Sequence, residues 1–164
     1  MFMVEYQATC RVLWLTAAAV GLCLAVPDEQ DAKALPEGTG KAEVVKFCTE
    51  CHTSGNFRKT RHDKDEWTDS VADMVERGAK GTPAELAVVV DYLTLNFGTD
   101  SKVDMNTAPL EEIKVQLGFT VPESQAVIEH RQRNGRFKEW RDVLKVSGVD
   151  KAKVEAKKDK MGFE

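Results

Sequence analysis

The stretch "KFCTECHT", Lys46 to Thr53, sets two cysteines two residues apart with a histidine directly after the second. On a helix, residues three and four apart share a face. Cys48, Cys51 and His52 then point the same way. Two thiols and an imidazole so placed grip a ligand from one edge. The preceding "GKAEVVKF" is compatible with such a helix.

Three chemistries use such a cysteine pair: covalent haem attachment, half of a zinc site, or a dithiol redox pair. The compartment bears on the choice. Arg11 precedes the apolar run "VLWLTAAAVGLCLAV", residues 12–26. A positive charge followed by about 15 apolar residues has the form of a secretory signal. It is short for a membrane span, which needs about 20. An uncleaved N-terminal anchor is the alternative. Cleavage fits after Ala25, and less well after Ala34. Lipidation at Cys23 is a poor fit, because Leu22 stands where a small residue is usual. The sequence therefore predicts a periplasmic or otherwise exported chain. Of the four cysteines, Cys10 and Cys23 fall in this leader, which leaves Cys48 and Cys51 for the mature protein.

A zinc site needs two more ligands with matching spacing. No second cysteine pair exists, and His62 and His130 are scattered. A thioredoxin-like site expects a strand–helix setting, and no strand pattern surrounds the motif. Cys-x-x-Cys-His is the signature of c-type haem attachment. The expected cofactor is one covalent haem c, attached through Cys48 and Cys51, with His52 as proximal iron ligand. The sixth ligand is expected to be Met74, with His62 as competitor.

Downstream, Trp67, Val71, Met74 and Val75 follow helical spacing, ending near Gly78. Thr82 and Glu85 form a capping box with Pro83 in the first turn. The helix they open carries Leu86, Val89, Val90, Leu93 and Phe97 on its apolar face and stops at Gly98. The segment resembles small single-haem cytochromes c found with periplasmic dehydrogenases. Their pattern is matched by Cys48, Cys51, His52, Arg61, Trp67, Val71, Met74, Tyr92 and Leu93. The resemblance implies a His/Met-ligated electron-transfer domain with no chemistry of its own.

The charge balance changes after the polar segment "GTDSK", residues 98–102. Residues 102–164 hold 13 Lys+Arg against 11 Asp+Glu, whereas residues 41–99 hold 8 against 10. The whole chain carries a net charge of −4. That gives no global pull toward nucleic acid or anionic membrane. Leu110, Ile113 and Leu117 form one apolar series. Val127 and Ile128 lie in a helix that Thr120 caps with Glu123, closing before Asn134-Gly135. Phe137, Trp140, Val143 and Leu144 form the next series, and Val149 and Val154 belong to the last.

The lead-in "VDMNTAPLEEI", residues 103–113, and the link "EHRQRNGRFKEWRDVLKV", residues 129–146, resemble a helix-hairpin-helix pair of the competence DNA receptor (ComEA-like) type. The hairpin turns are then Gly118-Phe119-Thr120 and Gly148-Val149-Asp150. A DNA-binding hairpin uses small residues so that backbone N–H groups approach a phosphate closely. Here Thr120 and Asp150 replace the second glycine of each turn. An extrinsic photosystem II subunit has a similar hairpin pair and uses it to dock protein. Protein docking is accordingly expected ahead of DNA binding, with Arg131, Arg133, Arg136, Lys138, Arg141, Lys151, Lys153, Lys157 and Lys158 read as solvated helix faces.

The sequence thus predicts an all-α chain: a signal peptide (1–26), a linker (27–40), a small cytochrome c-like haem domain (41–98) and a tandem helix-hairpin-helix domain (103–164). The expected function is non-enzymatic electron transfer to or from a periplasmic or membrane-bound redox partner protein, with no small-molecule substrate. The alternative is a DNA-binding helix-hairpin-helix protein with an attached haem domain.

Overall fold

A computed structural model describes residues 32–164. The leader, with Cys10 and Cys23, lies outside the described residues. The chain from residue 32 onward is mostly helical. Four helices come first: α1 (Lys41–Cys48), α2 (Gly55–Arg58), α3 (Lys64–Glu76) and α4 (Pro83–Phe97). Then come β1 (Val103–Asp104), α5 (Leu110–Leu117), α6 (Val121–Asn134), α7 (Trp140–Val143), α8 (Lys151–Lys157), a 3-10 turn (Lys158–Lys160) and β2 (Met161–Gly162).

Local chemistry explains where the long helices begin. Asp63, Thr82 and Thr120 each accept a bond from the N–H three residues on, at Glu66, Glu85 and Glu123, whose carboxylates return to the cap N–H. Each box satisfies two donors that a helix start would otherwise leave unpaired. The boxes at Thr82 and Thr120 are those legible in the sequence; the one at Asp63 is an addition. The helix α1 enters differently. Gly40 precedes it at φ +94°, and a Cβ there would lie 2.8 Å from Tyr92 Cβ and 2.9 Å from the Val88 carbonyl oxygen. Only glycine lets α1 approach α4 so closely.

Two apolar clusters form. Leu35, Val44, Phe57, Trp67, Val89, Leu93 and Phe97 belong to the first. The Trp67 indole N–H donates to the Phe97 carbonyl at 3.2 Å, so the ring is buried with its polar atom satisfied. Met105, Ile113, Leu117, Phe119, Val127, Val143 and Val154 belong to the second. A two-residue parallel pair closes this half, Val103 opposite Met161 and Asp104 opposite Gly162. No alternating pattern announces strands so short.

The halves meet through charge. The Arg58 guanidinium donates to Glu112 at 2.9 Å, to the Ala34 carbonyl at 2.6 Å and to Thr107 Oγ1 at 3.2 Å. Arg61 donates to the other Glu112 oxygen at 2.7 Å. Arg58 and Glu112 are each 1% exposed. Gln116 adds a bond to the Lys59 carbonyl at 2.6 Å. Residues 98–102 therefore join two segments that are already tied by buried ion pairs.

Candidate nucleic-acid interface

The second half is organised by contacts between the lead-in and the link. Asn106 donates to the Phe137 carbonyl at 3.0 Å and accepts from the Phe137 N–H at 2.8 Å. Its side chain thus pairs with the backbone as a second strand would. Arg131 donates to the Met105 carbonyl at 2.8 Å and the Ala108 carbonyl at 2.9 Å. Arg131 is therefore spent inside the fold and is not part of a solvated face. The His130 ring stacks on Phe137 with centroids 5.3 Å apart.

Two turns follow this frame. Gly118 sits at φ +70° and Gly148 at φ +85°. This is the left-handed region that glycine enters without a Cβ clash. Gly118 closes α5, and its N–H returns to the Lys114 carbonyl at 3.0 Å. Thr120 and Asp150 have φ of −71° and −70°, so neither position demands glycine conformationally. Both act as caps. Thr120 Oγ1 accepts from the Glu123 N–H, and the Asp150 carboxylate accepts from the Ala152 N–H at 2.9 Å. The substitution that argued against a phosphate ligand has this local role instead.

One carboxylate joins the two turns. Glu123 Oε2 accepts from the Thr120 N–H at 2.7 Å, from Thr120 Oγ1 at 2.7 Å and from Lys153 Nζ at 2.8 Å. Its Oε1 accepts from the Asp150 N–H at 3.1 Å. The ion pair with Lys153 and these hydrogen bonds hold the Glu123 carboxyl down at about 2. The sequence marks Glu123 as a cap. Its reach to Asp150 and Lys153 is tertiary and leaves no local signal.

The module carries several cations on its surface. Arg133 pairs with Glu129, Arg141 with Glu139 at 3.0 Å, and Lys145 with Asp142 at 2.7 Å. Arg136, Lys138, Lys151 and Lys158 are exposed. The Lys158 ammonium lies 5.6 Å from the Trp140 ring centroid and the Arg141 guanidinium 4.7 Å. These contacts gather both charges around one half-buried aromatic ring.

Residues 98–161 match the helix-hairpin-helix motif family. Within this module the chain is 38% identical over 58 residues to ComE operon protein 1 of Bacillus subtilis (strain 168), covering 35% of this chain and 28% of that one. It is 32% identical over 63 residues to an uncharacterized protein of Haemophilus influenzae, covering 38% of this chain and 56% of that one. The chain thus spans well under two thirds of either curated relative's length. No solved structure matches.

The first half holds the residues expected to bind haem. Cys48, Cys51, His52, His62 and Met74 all line one cavity of about 490 Å³, together with Phe57, Trp67 and Leu93. The expected common helix face does not form. The helix α1 ends at Cys48, Thr49 closes it, and Cys51 and His52 lie in the turn beyond. Cys48 is half-buried and Cys51 exposed, both as free thiols. Burial pushes the Cys48 thiol up to about 11. Met74 sits 38% exposed. The His62 ring, just before α3, meets the Trp67 ring edge-on with centroids 4.9 Å apart.

The electron-carrier function is corrected on these findings, and with it the covalent haem c, the iron centre and the redox partner. The matches fall on the helix-hairpin-helix module and on a ComE protein, and none describes a cytochrome. Among the described residues no group of three or more His, Cys, Asp or Glu side chains is arranged to hold a metal ion. Arg61, Tyr92 and Trp67, which carried the cytochrome resemblance, have structural partners here: Glu112, the Pro36 carbonyl and the Phe97 carbonyl. Protein docking as the leading role of the hairpins is likewise not supported by these matches.

Proposed function

We propose that the chain is an exported DNA-binding protein whose helix-hairpin-helix module contacts the phosphate backbone of duplex DNA without reading sequence. One observation carries this. The two hairpin turns of a module matching that family lie side by side, close enough for a single carboxylate to bond to the amide of Thr120 and the amide of Asp150. Both turns can therefore face one duplex. Exposed Arg136, Lys138, Lys151 and Lys158 supply cations of the kind that neutralise phosphates and release counterions. Export rests on the leader at residues 1–26. Among the described residues no helix is long and apolar enough to cross a membrane.

The test titrates the full chain against labelled duplexes of unrelated sequence at several salt concentrations. Non-specific binding gives a Kd of about 10⁻⁶ to 10⁻⁴ M at physiological salt, weakening steeply as salt rises. Replacing both Lys151 and Lys158 by Ala is expected to flatten the log–log salt slope by about 0.9 for each phosphate that is no longer neutralised. Binding that ignores salt, or none at about 10⁻⁴ M protein, overturns the proposal.

A further inference from the structure

Glu123 carries its charge in an unusual place. It is 7% exposed, and it occupies backbone donors in both hairpin turns at once. Those are amides at the third position of each turn, where close approach to a phosphate is the reason for small residues. A carboxylate oxygen and a phosphate oxygen compete for the same N–H groups, and their charges repel. Lys153, which would otherwise offer a cation beside the turns, is held by Glu123 at 2.8 Å.

We propose that Glu123 is an internal occupant of the phosphate-receiving amides and sets the DNA affinity of the module low. The inference rests on the DNA reading above. Glu123 withholds three groups from DNA: the Thr120 amide, the Asp150 amide and the Lys153 ammonium. It also orders the two turns relative to each other, so the same interaction that weakens binding keeps the module in shape. Affinity is then raised by anything that draws the carboxylate off these donors, with no other change to the DNA-facing surface.

The test compares the full-length wild type with Glu123→Gln on one labelled duplex across a salt series, with folding checked by circular dichroism. Gln removes the charge, leaves Lys153 unpaired and keeps the side-chain length. Binding is expected to tighten about 3- to 30-fold. The salt slope is expected to steepen by about 0.9, as Lys153 comes to neutralise one further phosphate. Adding Lys153→Ala to Glu123→Gln should remove that extra slope. The single variant Lys153→Ala gives an arm that does not depend on the stability of Glu123→Gln. In the wild-type background it should leave the slope unchanged, because Lys153 is already committed. A wild type that binds DNA with the expected salt slope, but a folded Glu123→Gln that binds no tighter, overturns the inference and leaves the DNA reading standing. So does a slope that flattens by about 0.9 in Lys153→Ala alone. Failure of both wild type and Glu123→Gln to bind overturns the DNA reading itself.

Discussion

Arg58 and Glu112 lie 54 positions apart in the chain and meet at 2.9 Å with both side chains almost fully buried. Every nitrogen of the Arg58 guanidinium has an acceptor: Glu112, the Ala34 carbonyl or Thr107 Oγ1. The second Glu112 oxygen is held by Arg61. Burying charge is tolerated here because each guanidinium nitrogen and both carboxylate oxygens have a partner.

Removing one partner leaves the other uncompensated. Glu112→Ala strands two guanidinium groups at the contact between the halves. Breaking a buried pair in this way costs about 3–5 kcal/mol. Chemical denaturation of the full chain measures it. A destabilisation under about 1 kcal/mol, the range of surface pairs, would show that water reaches Arg58 freely.

Acid is expected to act through Glu123. Its carboxyl titrates near 2 in the folded chain against an ordinary value of 4.5. A depressed folded value means that the contribution is complete above about pH 4.5 and is lost as pH falls toward 2. Glu123→Gln cannot follow this titration. Gln keeps the capping-box geometry but loses the charge, and a charge at a helix start is worth about 0.3–2 kcal/mol. That is about 1–8 °C in Tm for a chain of this size. The Tm gap between wild type and variant should be full at pH 7 and close between pH 4.5 and 2. A gap that stays constant across that window contradicts the bond network drawn around Glu123.

The two thiols should react unequally. Cys51 is exposed, whereas Cys48 is half-buried with its thiol raised to about 11. Only the thiolate is nucleophilic, and a thiol raised to about 11 is almost wholly protonated at neutral pH. Maleimide labelling of the folded chain, read by peptide mass spectrometry, should modify Cys51 at least about tenfold faster than Cys48. Denaturation should equalise them. If neither thiol reacts even in denaturant, both sulfurs already carry a covalent substituent, and the free-thiol description of the first half fails.

Much of the framework was legible because it is local. The capping boxes at Thr82–Glu85 and Thr120–Glu123 lie within single turns, so four consecutive residues state where α4 and α6 begin. Gly118 and Gly148 mark turns for an equally local reason, since a positive φ excludes most side chains. The apolar series at Leu110, Ile113 and Leu117 states a helix through its period. The lead-in and link segments were also recognisable as a hairpin module from their residues alone, and residues 98–161 match that family.

Long-range pairings could not be read this way. Helical spacing puts Cys48, Cys51 and His52 on one face only if the helix continues, and α1 stops at Cys48. Thr120 and Asp150 have the look of obstacles to phosphate in the bare sequence, whereas in the fold their side chains cap helices. Arg58, Arg61 and Glu112 carry no pattern that separates them from solvated charges, and their burial follows only from the way the two halves meet. Glu123 is the clearest case. The sequence determined its bond to Thr120, three residues away, because a helical turn brings those atoms together whatever the rest of the chain does. Its bonds to Asp150 and Lys153, 27 and 30 residues away, were decided by the tertiary structure alone, because only the packing of the second hairpin against the first brings those donors within reach of the carboxylate.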